Sequence, residues 1–254
     1  MSYVAVSALS HPGLLRDKNE DSLVAGPWTL CATVTENPQT LVFPMGTPLV
    51  VAVADGLGGH PGGEEASALV VRRLASIGPA LNSEDTVREA VESCNRAVYA
   101  AAEAKGDDGD ELSELMTMGT TLAGVVVLSD SLLVFNVGDS RVLAAPREGP
   151  RLLSTDDSPP LQPGQRTTSL VTQSLGGTPG YRAVVPHVTT QPLSPGDRYL
   201  VCTDGLTDPV PEDAVAAVLR EHDDGRAAFE LWKAAIAEGG PDNITLALVR
   251  VAEA

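Results

Sequence analysis

Four times this chain runs a strand-like stretch into an acidic residue beside glycine or asparagine: Ala54-Asp55-Gly56, Val137-Gly138-Asp139, Thr203-Asp204-Gly205 and, in reverse order, Asp242-Asn243-Ile244. The first is the fullest. Leu49-Val50-Val51-Ala52-Val53-Ala54 reads as a buried strand, and Asp55-Gly56-Leu57-Gly58-Gly59-His60 follows it as a glycine-rich turn leading to Glu64. Residues without Cβ let a ligand come close to the backbone. Taken singly, each motif is explained by turn chemistry, because Asp and Gly favour turns for local reasons. Taken together with Glu20-Asp21, they are explained more economically by strand ends that converge at one rim of a sheet or sandwich. Converged carboxylates repel one another, and burying their charge uncompensated is costly, so such a cluster calls for cations. Oxygen ligands without His or Cys suit Mg²⁺ or Mn²⁺ better than zinc. Two such ions about 3.5 to 4 Å apart hold a shared water, lower its pKa and stabilise both the attacking and the leaving oxygen of a phosphoryl displacement. One guanidinium nearby would complete a phosphate site.

The charge balance narrows the partners. A formal net charge of −17, from 34 acidic against 17 basic residues, would repel a nucleic-acid backbone or an anionic membrane, so neither is expected as a partner. By itself the same acidity reads first as a solvated surface and only second as a cation site. With 43% hydrophobic and 20% charged residues the composition is that of a globular protein, and the 254 residues are expected to form a single domain, 1–254, without repeats or a dividing linker. Cys31, Cys94 and Cys202 are too scattered for a disulfide framework or a metal knuckle and read as small buried hydrophobes in a reducing compartment. No Lys or Arg precedes Arg16, and no apolar run reaches the ~18 residues of a membrane span. The protein is therefore expected to be soluble and cytoplasmic, and nothing suggests an obligate dimer, so a monomer is expected.

Along the chain, Tyr3 to Leu9 reads as a first strand, and the polar run Arg16 to Ser22 reads by itself as an exposed loop. Leu30 to Val34 and Thr40 to Phe43, separated by Thr35-Glu36-Asn37-Pro38, suggest a hairpin. Helical periodicity covers Glu64 to Ile77 and Thr86 to Ala104, the second capped by Ser83 or Asp85. The acidic loop Gly106 to Asp110 lacks the spacing and closing Glu of an EF-hand and reads as solvated. Thr120 to Leu128 and Ser131 to Val137 read as a tight hairpin, and Arg141 to Ala145 and Arg151 to Leu153 flank a turn. Asp156 to Gly180, rich in Pro, Gly, Ser and Thr, reads as a surface excursion of the kind that borders active sites. Tyr199 to Thr203 and Ile244 to Val251 are strands, with helices near Glu212 to Arg220 and Arg226 to Ala237 between them.

In this order the motifs resemble the metal-dependent Ser/Thr protein phosphatases of the PP2C (PPM) family. They are Arg16-x-x-Asn19-Glu20-Asp21, Asp55-Gly56-Leu57-Gly58-Gly59-His60-x-x-Gly63-Glu64, Gly119-Thr120-Thr121, Asn136-Val137-Gly138-Asp139-Ser140-Arg141, Asp204-Gly205-Leu206-x-Asp208 and Asp242-Asn243-Ile244-Thr245. Gly-x-Gly-Gly-His in the second is most similar to bacterial members. The resemblance implies an α+β fold, a four-layer αββα sandwich of two central, mainly antiparallel sheets flanked by helix pairs. It implies two core Mn²⁺ or Mg²⁺ ions, with Asp55 bridging them, the Gly56 carbonyl on one, Asp204 and Asp242 at the first, and Glu20 and Asp21 at the second or on its waters. Arg16 would grip the substrate phosphate, and Asp139 with Asp204 would bind a third, weaker metal. Water or hydroxide held by the two ions would attack phosphoserine or phosphothreonine directly. The implied partners are phosphorylated proteins, a Ser/Thr protein kinase and its substrates.

Departures from the family pattern are also visible. Eukaryotic members carry a His shortly after Asp-Gly as a proposed general acid; here Leu57 follows, and His60, further on, reads as scaffold for the glycine loop. The family's flap usually opens Asp-His-Ser, whereas this one opens Asp156-Asp157-Ser158 and is shortened, with Arg166 its only basic residue before Arg182. The long insertion between Asp21 and Leu49 reads as an extended hairpin. Two other readings share these residues: a catalytically silent relative that only binds phosphoprotein, which the retained Asp55, Asp204, Asp242 and Arg16 argue against, and a phosphoesterase for small molecules.

Overall fold

The structure, a computed structural model, describes residues 2–57, 62–106, 118–160, 167–168 and 170–253. Two six-stranded antiparallel sheets carry it. One holds β1 (Ser2–His11), β4 (Gln39–Pro44), β9 (Arg141–Ala144), β10 (Arg151–Leu152), β13 (Arg198–Cys202) and β14 (Ile244–Glu253) in the order β10-β9-β13-β14-β1-β4. The other holds β2 (Ser22–Ala25), β3 (Trp28–Cys31), β5 (Leu49–Ala54), β7 (Leu122–Val127), β8 (Ser131–Val137) and β12 (His187–Pro192) in the order β12-β8-β7-β5-β2-β3. A short ladder joins β6 (Gly119–Thr120) to β11 (Leu175–Gly176).

Strand alternation dictates the layering. In β5, Val50, Ala52 and Ala54 face helices α1 (Gly63–Ile77) and α2 (Glu84–Gly106), while Leu49, Val51 and Val53 face the opposite sheet. A strand can be apolar at every position only if both faces are covered. β14 repeats the pattern. Ala247 and Val249 enter the inter-sheet core, whereas Leu246 and Leu248 meet α4 (Glu212–Glu221) and α5 (Asp224–Ala237). Three apolar layers between four structural ones make the αββα sandwich.

The helices start where local chemistry says they should. Ser83 and Thr86 cap α2 reciprocally: Thr86 N–H donates to Ser83 Oγ at 3.2 Å, and Ser83 N–H donates to Thr86 Oγ1 at 3.0 Å. Asp223 caps α5 by accepting from Arg226 N–H at 2.9 Å. Beneath α5, Asp224 accepts from Arg250 and lies 2.6 Å from Arg198 Nε, in a geometry that makes an ion pair and not a hydrogen bond.

The expected hairpin across Thr35–Pro38 does not form. β3 turns back on β2, and β4 crosses to pair with β1 in the other sheet. The reason lies in the connecting residues: Thr35 exchanges hydrogen bonds with the Ser10 backbone, and Asn19 Nδ2 donates to Thr33 O at 2.7 Å. These contacts pin the segment to the end of β1 and make it a crossing between sheets. β2 and β12 were not expected as strands, and the short helix α3 (Asp204–Thr207) continues where only a strand end was read. The acidic loop at Asp107–Asp110, like His60 and Arg166, lies outside the described residues. Among the described residues no helix is long and apolar enough to cross a membrane.

Candidate metal centre

Topology brings the motif carboxylates to one rim. β5 and β8 flank β7 antiparallel, so they point the same way, and Asp55 and Asp139 follow their C-terminal ends. β13 and β14 pair antiparallel, so the residues after one and before the other, Asp204 and Asp242, meet at a single edge of the facing sheet. Ser22 opposes Ala54 in the β2–β5 ladder, which sets Asp21 beside Asp55. A cleft of about 580 Å³ opens there, lined by Arg16, Glu20, Asp55, Gly56, Asp139, Asp204 and Asp242 among others.

The backbone under Asp55 is held tightly. Its carbonyl accepts from Thr121 N–H at 2.9 Å and Thr120 Oγ1 at 2.8 Å, and its N–H donates to Thr121 Oγ1 at 3.2 Å. Those partners are the Gly119-Thr120-Thr121 motif. At Gly56 a Cβ would fall 2.6 Å from the Gly63 carbonyl group and 2.7 Å from Glu20 O, so only glycine fits between the loop and α1. At Gly205 a Cβ would fall 1.8 Å from Asn243 O, so α3 can press against β14 only through glycine.

Electrostatically the cluster is unfinished. Burial pushes the Asp55 carboxyl well above its ordinary range, reinforced by the charges of Asp21 and Asp204 and by a hydrogen bond to Asp204. Asp204 is raised as well, first by burial. Burial also pushes Asp21 and Asp139 up to about 7, and Asp208 up to about 6, with Asp204 adding repulsion to each. Glu20 is raised by burial against the lowering influence of Arg16. Two buried carboxylate oxygens, Asp21 Oδ1 and Asp204 Oδ1, have no hydrogen-bond partner. A buried orphan acceptor in an acidic cluster is what a cation would satisfy, so the donor set fits hard divalent ions. Among the described residues no three carboxylate, imidazole or thiolate groups already form a cage for one ion. Mg²⁺-like ions keep several waters and need fewer protein ligands each.

The expected site residues do not all occupy the same position. Glu20 faces the cleft, whereas Asp21 is 0% exposed and lies behind its wall, where it accepts from Thr203 Oγ1 at 2.9 Å and is also held by Thr245. Asn19 is buried too, so the run Arg16 to Ser22 is an exposed loop only as far as Lys18. Arg16 stands at the cleft lip and spends one donor on Asp242 Oδ2 at 2.7 Å, which raises its own pKa further.

Several residues with no assigned role build the site. Asn243 accepts from Glu20 N–H at 2.7 Å and donates to Pro12 O and Lys18 O at 3.0 and 2.8 Å, closing the loop that carries Arg16. Thr203 links Asp21 to Thr245 N–H. Asp208 lies one helical turn from Asp204, a spacing that would have paired them had α3 been read as a helix. Asp157, at the flap opening, accepts from Gly138 N–H and Gln173 Nε2 and meets His187, so it fixes the turn that carries Asp139.

Residues 41–233 match the sequence profile of the Protein phosphatase 2C family. This chain belongs to that family. Arg16, Glu20, Asp21 and Asp242 fall outside the matched span, so at those positions the geometry carries the resemblance. The serine/threonine protein phosphatase PstP of Mycobacterium tuberculosis is 32% identical over 263 residues, covering 97% of this chain and 45% of that protein. The chain thus spans less than half the length of this relative. The serine/threonine phosphatase stp of Listeria welshimeri is 30% identical over 223 residues, covering 79% of this chain and 83% of that protein. A solved structure of the Mycobacterium tuberculosis phosphatase superposes with a TM-score of 0.79 at 28% identity, over 99% of this chain and 100% of the other. The PstP catalytic domain solved with two manganese ions gives 0.77 at 29% identity, over the whole of both chains. The four-layer sandwich derived above is the protein phosphatase 2C fold.

Proposed function

We propose that residues 1–254 act as one catalytic domain that hydrolyses phosphoserine and phosphothreonine in proteins with the help of Mn²⁺ or Mg²⁺. The observation that carries this reading is the convergence of Asp21, Asp55, Asp139 and Asp204 around one cleft, with two orphan carboxylate oxygens among the described residues, Asp21 Oδ1 and Asp204 Oδ1. Asp55 would serve both ions and the Gly56 carbonyl one of them, Asp204 and Asp242 would serve the first, Glu20 and Asp21 the second directly or through water, and Asp139 with Asp204 a weaker third. When bound, the two cations supply the charge that activates water and neutralises a phosphoryl group. Arg16, already at the cleft lip, grips the phosphate oxygens, for which a guanidinium fork is suited. Asn243 keeps the Arg16 loop in register with Glu20, and Thr203 orients Asp21. The relatives' names and the two manganese ions of the PstP catalytic domain support the assignment. A cytoplasmic monomer that opposes a Ser/Thr kinase is the setting we propose.

The test is turnover of phosphothreonine peptides and of a small aryl phosphate with Mn²⁺, with chelator, and with Asp204→Asn. Metal-dependent turnover of both substrates, lost in the variant, is expected. No metal-dependent turnover would sink the enzyme reading, and turnover of the aryl ester alone would sink the protein-substrate part.

A further inference from the structure

A second groove of about 680 Å³ adjoins the metal cleft and shares two wall residues with it, Leu57 and Val171. Its far wall runs along the segment up to Val184. That wall is built onto α2. Glu92, Asn95 and Tyr99 follow one another at helical spacing, beside Val91, Cys94 and Val98, which enter the core. Asn95 is 0% exposed, accepts from Gly176 N–H at 3.0 Å and donates to Arg182 O at 2.7 Å. The Tyr99 and Thr178 hydroxyls bond at 2.5 Å, Tyr181 donates to Glu92, and the two tyrosine rings meet edge-on at 5.3 Å. A wholly buried Asn on an apolar helix face is costly unless its bonds are made. Here both go to the groove wall, which is therefore preformed and held to a rigid element.

The groove offers two kinds of contact. Leu57, Val171, Val184 and Leu170, the last 65% exposed, form an apolar surface that begins at the metal cleft. Arg182 lines the same groove, and its guanidinium makes no ion pair among the described residues. On a chain of net charge −17, an unpaired cation beside an apolar strip is a selective feature.

We propose that this groove binds the part of the phosphoprotein flanking the phosphoresidue, taking a bulky apolar side chain on the Leu57–Leu170–Val171 strip and a carboxylate side chain on Arg182. The inference rests on the phosphatase reading of the adjoining cleft. A chain whose phosphoresidue sits among the carboxylates has to leave over the cleft's rim, and the wall at Leu57 and Val171 leads it into the groove. An extended peptide advances about 3.3 Å per residue, so both contacts fall within a few residues of the phosphate. The acidic protein surface elsewhere would repel the same carboxylate, and among the described residues that line this groove the cation it meets is Arg182.

The experiment compares wild type, Arg182→Glu and Leu170→Asp on three substrates: a phosphothreonine peptide with Leu and Glu within a few residues on each side, the same peptide with Leu→Ala and Glu→Gln, and an aryl phosphate. Both variants are surface changes. Each is expected to raise KM for the Leu/Glu peptide roughly three- to tenfold, the size of one exposed ion pair or partly buried side chain, with kcat near wild type. The Ala/Gln peptide and the aryl ester should stay within about twofold. Equal effects on all three substrates, or none on the Leu/Glu peptide, overturn the groove while normal aryl phosphate turnover leaves the phosphatase reading standing. If wild type turns over neither ester, that reading fails instead. Fluorescence anisotropy of a labelled Leu/Glu peptide then decides the groove: weakening by Arg182→Glu supports it, and equal affinity for both proteins overturns it.

Discussion

Stripped of divalent ions, the protein should become less stable as the pH rises from about 5 to about 8, and Mn²⁺ should abolish most of that slope. Asp21 is 0% exposed and burial pushes it up to about 7 from an ordinary value of 3.8. The folded chain therefore keeps this proton in a window where the unfolded chain has already released it. Where the folded state binds more protons, the free energy of unfolding falls with rising pH. The advantage is complete below the unfolded value and is lost as the pH climbs through about 7. Between about pH 5 and the folded value of about 7 lie about two pKa units, so at 1.36 kcal/mol per unit Asp21 alone accounts for about 2.7 kcal/mol across the window. Asp139, also pushed up to about 7, acts in the same direction, though the effects do not add because Asp204 raises both. For a chain of this size about 2.7 kcal/mol corresponds to roughly 5 to 11 °C in Tm. The assay is a set of thermal melts across that pH range in chelator and in Mn²⁺, at an ionic strength that screens exposed charges. Screening matters because the net charge of −17 also favours lower pH through surface repulsion. A chelated Tm that stays flat or rises between about pH 5 and 8, or an equal fall with Mn²⁺ present, would refute the reasoning.

Asp224→Ala strands Arg198, whose side chain is 6% exposed, and should cost about 3–5 kcal/mol in denaturant unfolding. Its kcat/KM on an aryl phosphate below the unfolding transition should be unchanged, because the pair lies under α5 and away from the cleft. Thr203→Val keeps the side-chain shape but removes the donor to Asp21 Oδ2 and the acceptor for Thr245 N–H. It should lose about 1–3 kcal/mol of stability and raise the Mn²⁺ concentration for half-maximal activity, with Thr203→Ser restoring both. A changed kcat at saturating Mn²⁺ with no shift in the metal requirement would contradict a positioning role.

What could be read from sequence depended on how many faces of each strand are covered. β5, β7, β8, β13 and β14 are nearly or wholly buried apolar runs, and their ends carry the carboxylates, so strands and site were visible together. β12, by contrast, has only Val188 buried, because it edges its sheet, and His187-Val188-Thr189-Thr190-Gln191-Pro192 shows no apolar run to find. The false hairpin at 30–43 has a similar origin. Two strand-like runs with a turn between them look alike whether they pair or diverge to different sheets, and the partners that pin the turn, the Ser10 backbone and the Asn19 side chain, are distant from it in sequence. The polar run before β2 concealed a further signal. Asn19 and Asp21 are buried while Glu20 lines the cleft, which is the alternation of a strand entering its sheet. Strand alternation carried back from β2 puts Asp21 and Glu20 on opposite faces.

The carboxylates are distributed across the seam of the sandwich. Asp55 and Asp139 end strands of one sheet, Asp204 and Asp242 belong to the other, and Glu20 and Asp21 lie on the chain that passes from β1 to β2. Repulsion among them therefore acts across the two sheets; burial raises the pKa of Asp55, and the ion pair between Arg16 and Asp242 offsets part of the charge at the rim. A cation seated there would offset the repulsion among the buried carboxylates and would compete with Arg16 for Asp242. Seating it would also free guanidinium donors at the cleft lip, next to where a phosphate would arrive. On the proposed reading, the same charge that makes the metal-free rim costly would couple cation binding, sheet-to-sheet cohesion and the availability of Arg16 for a phosphate.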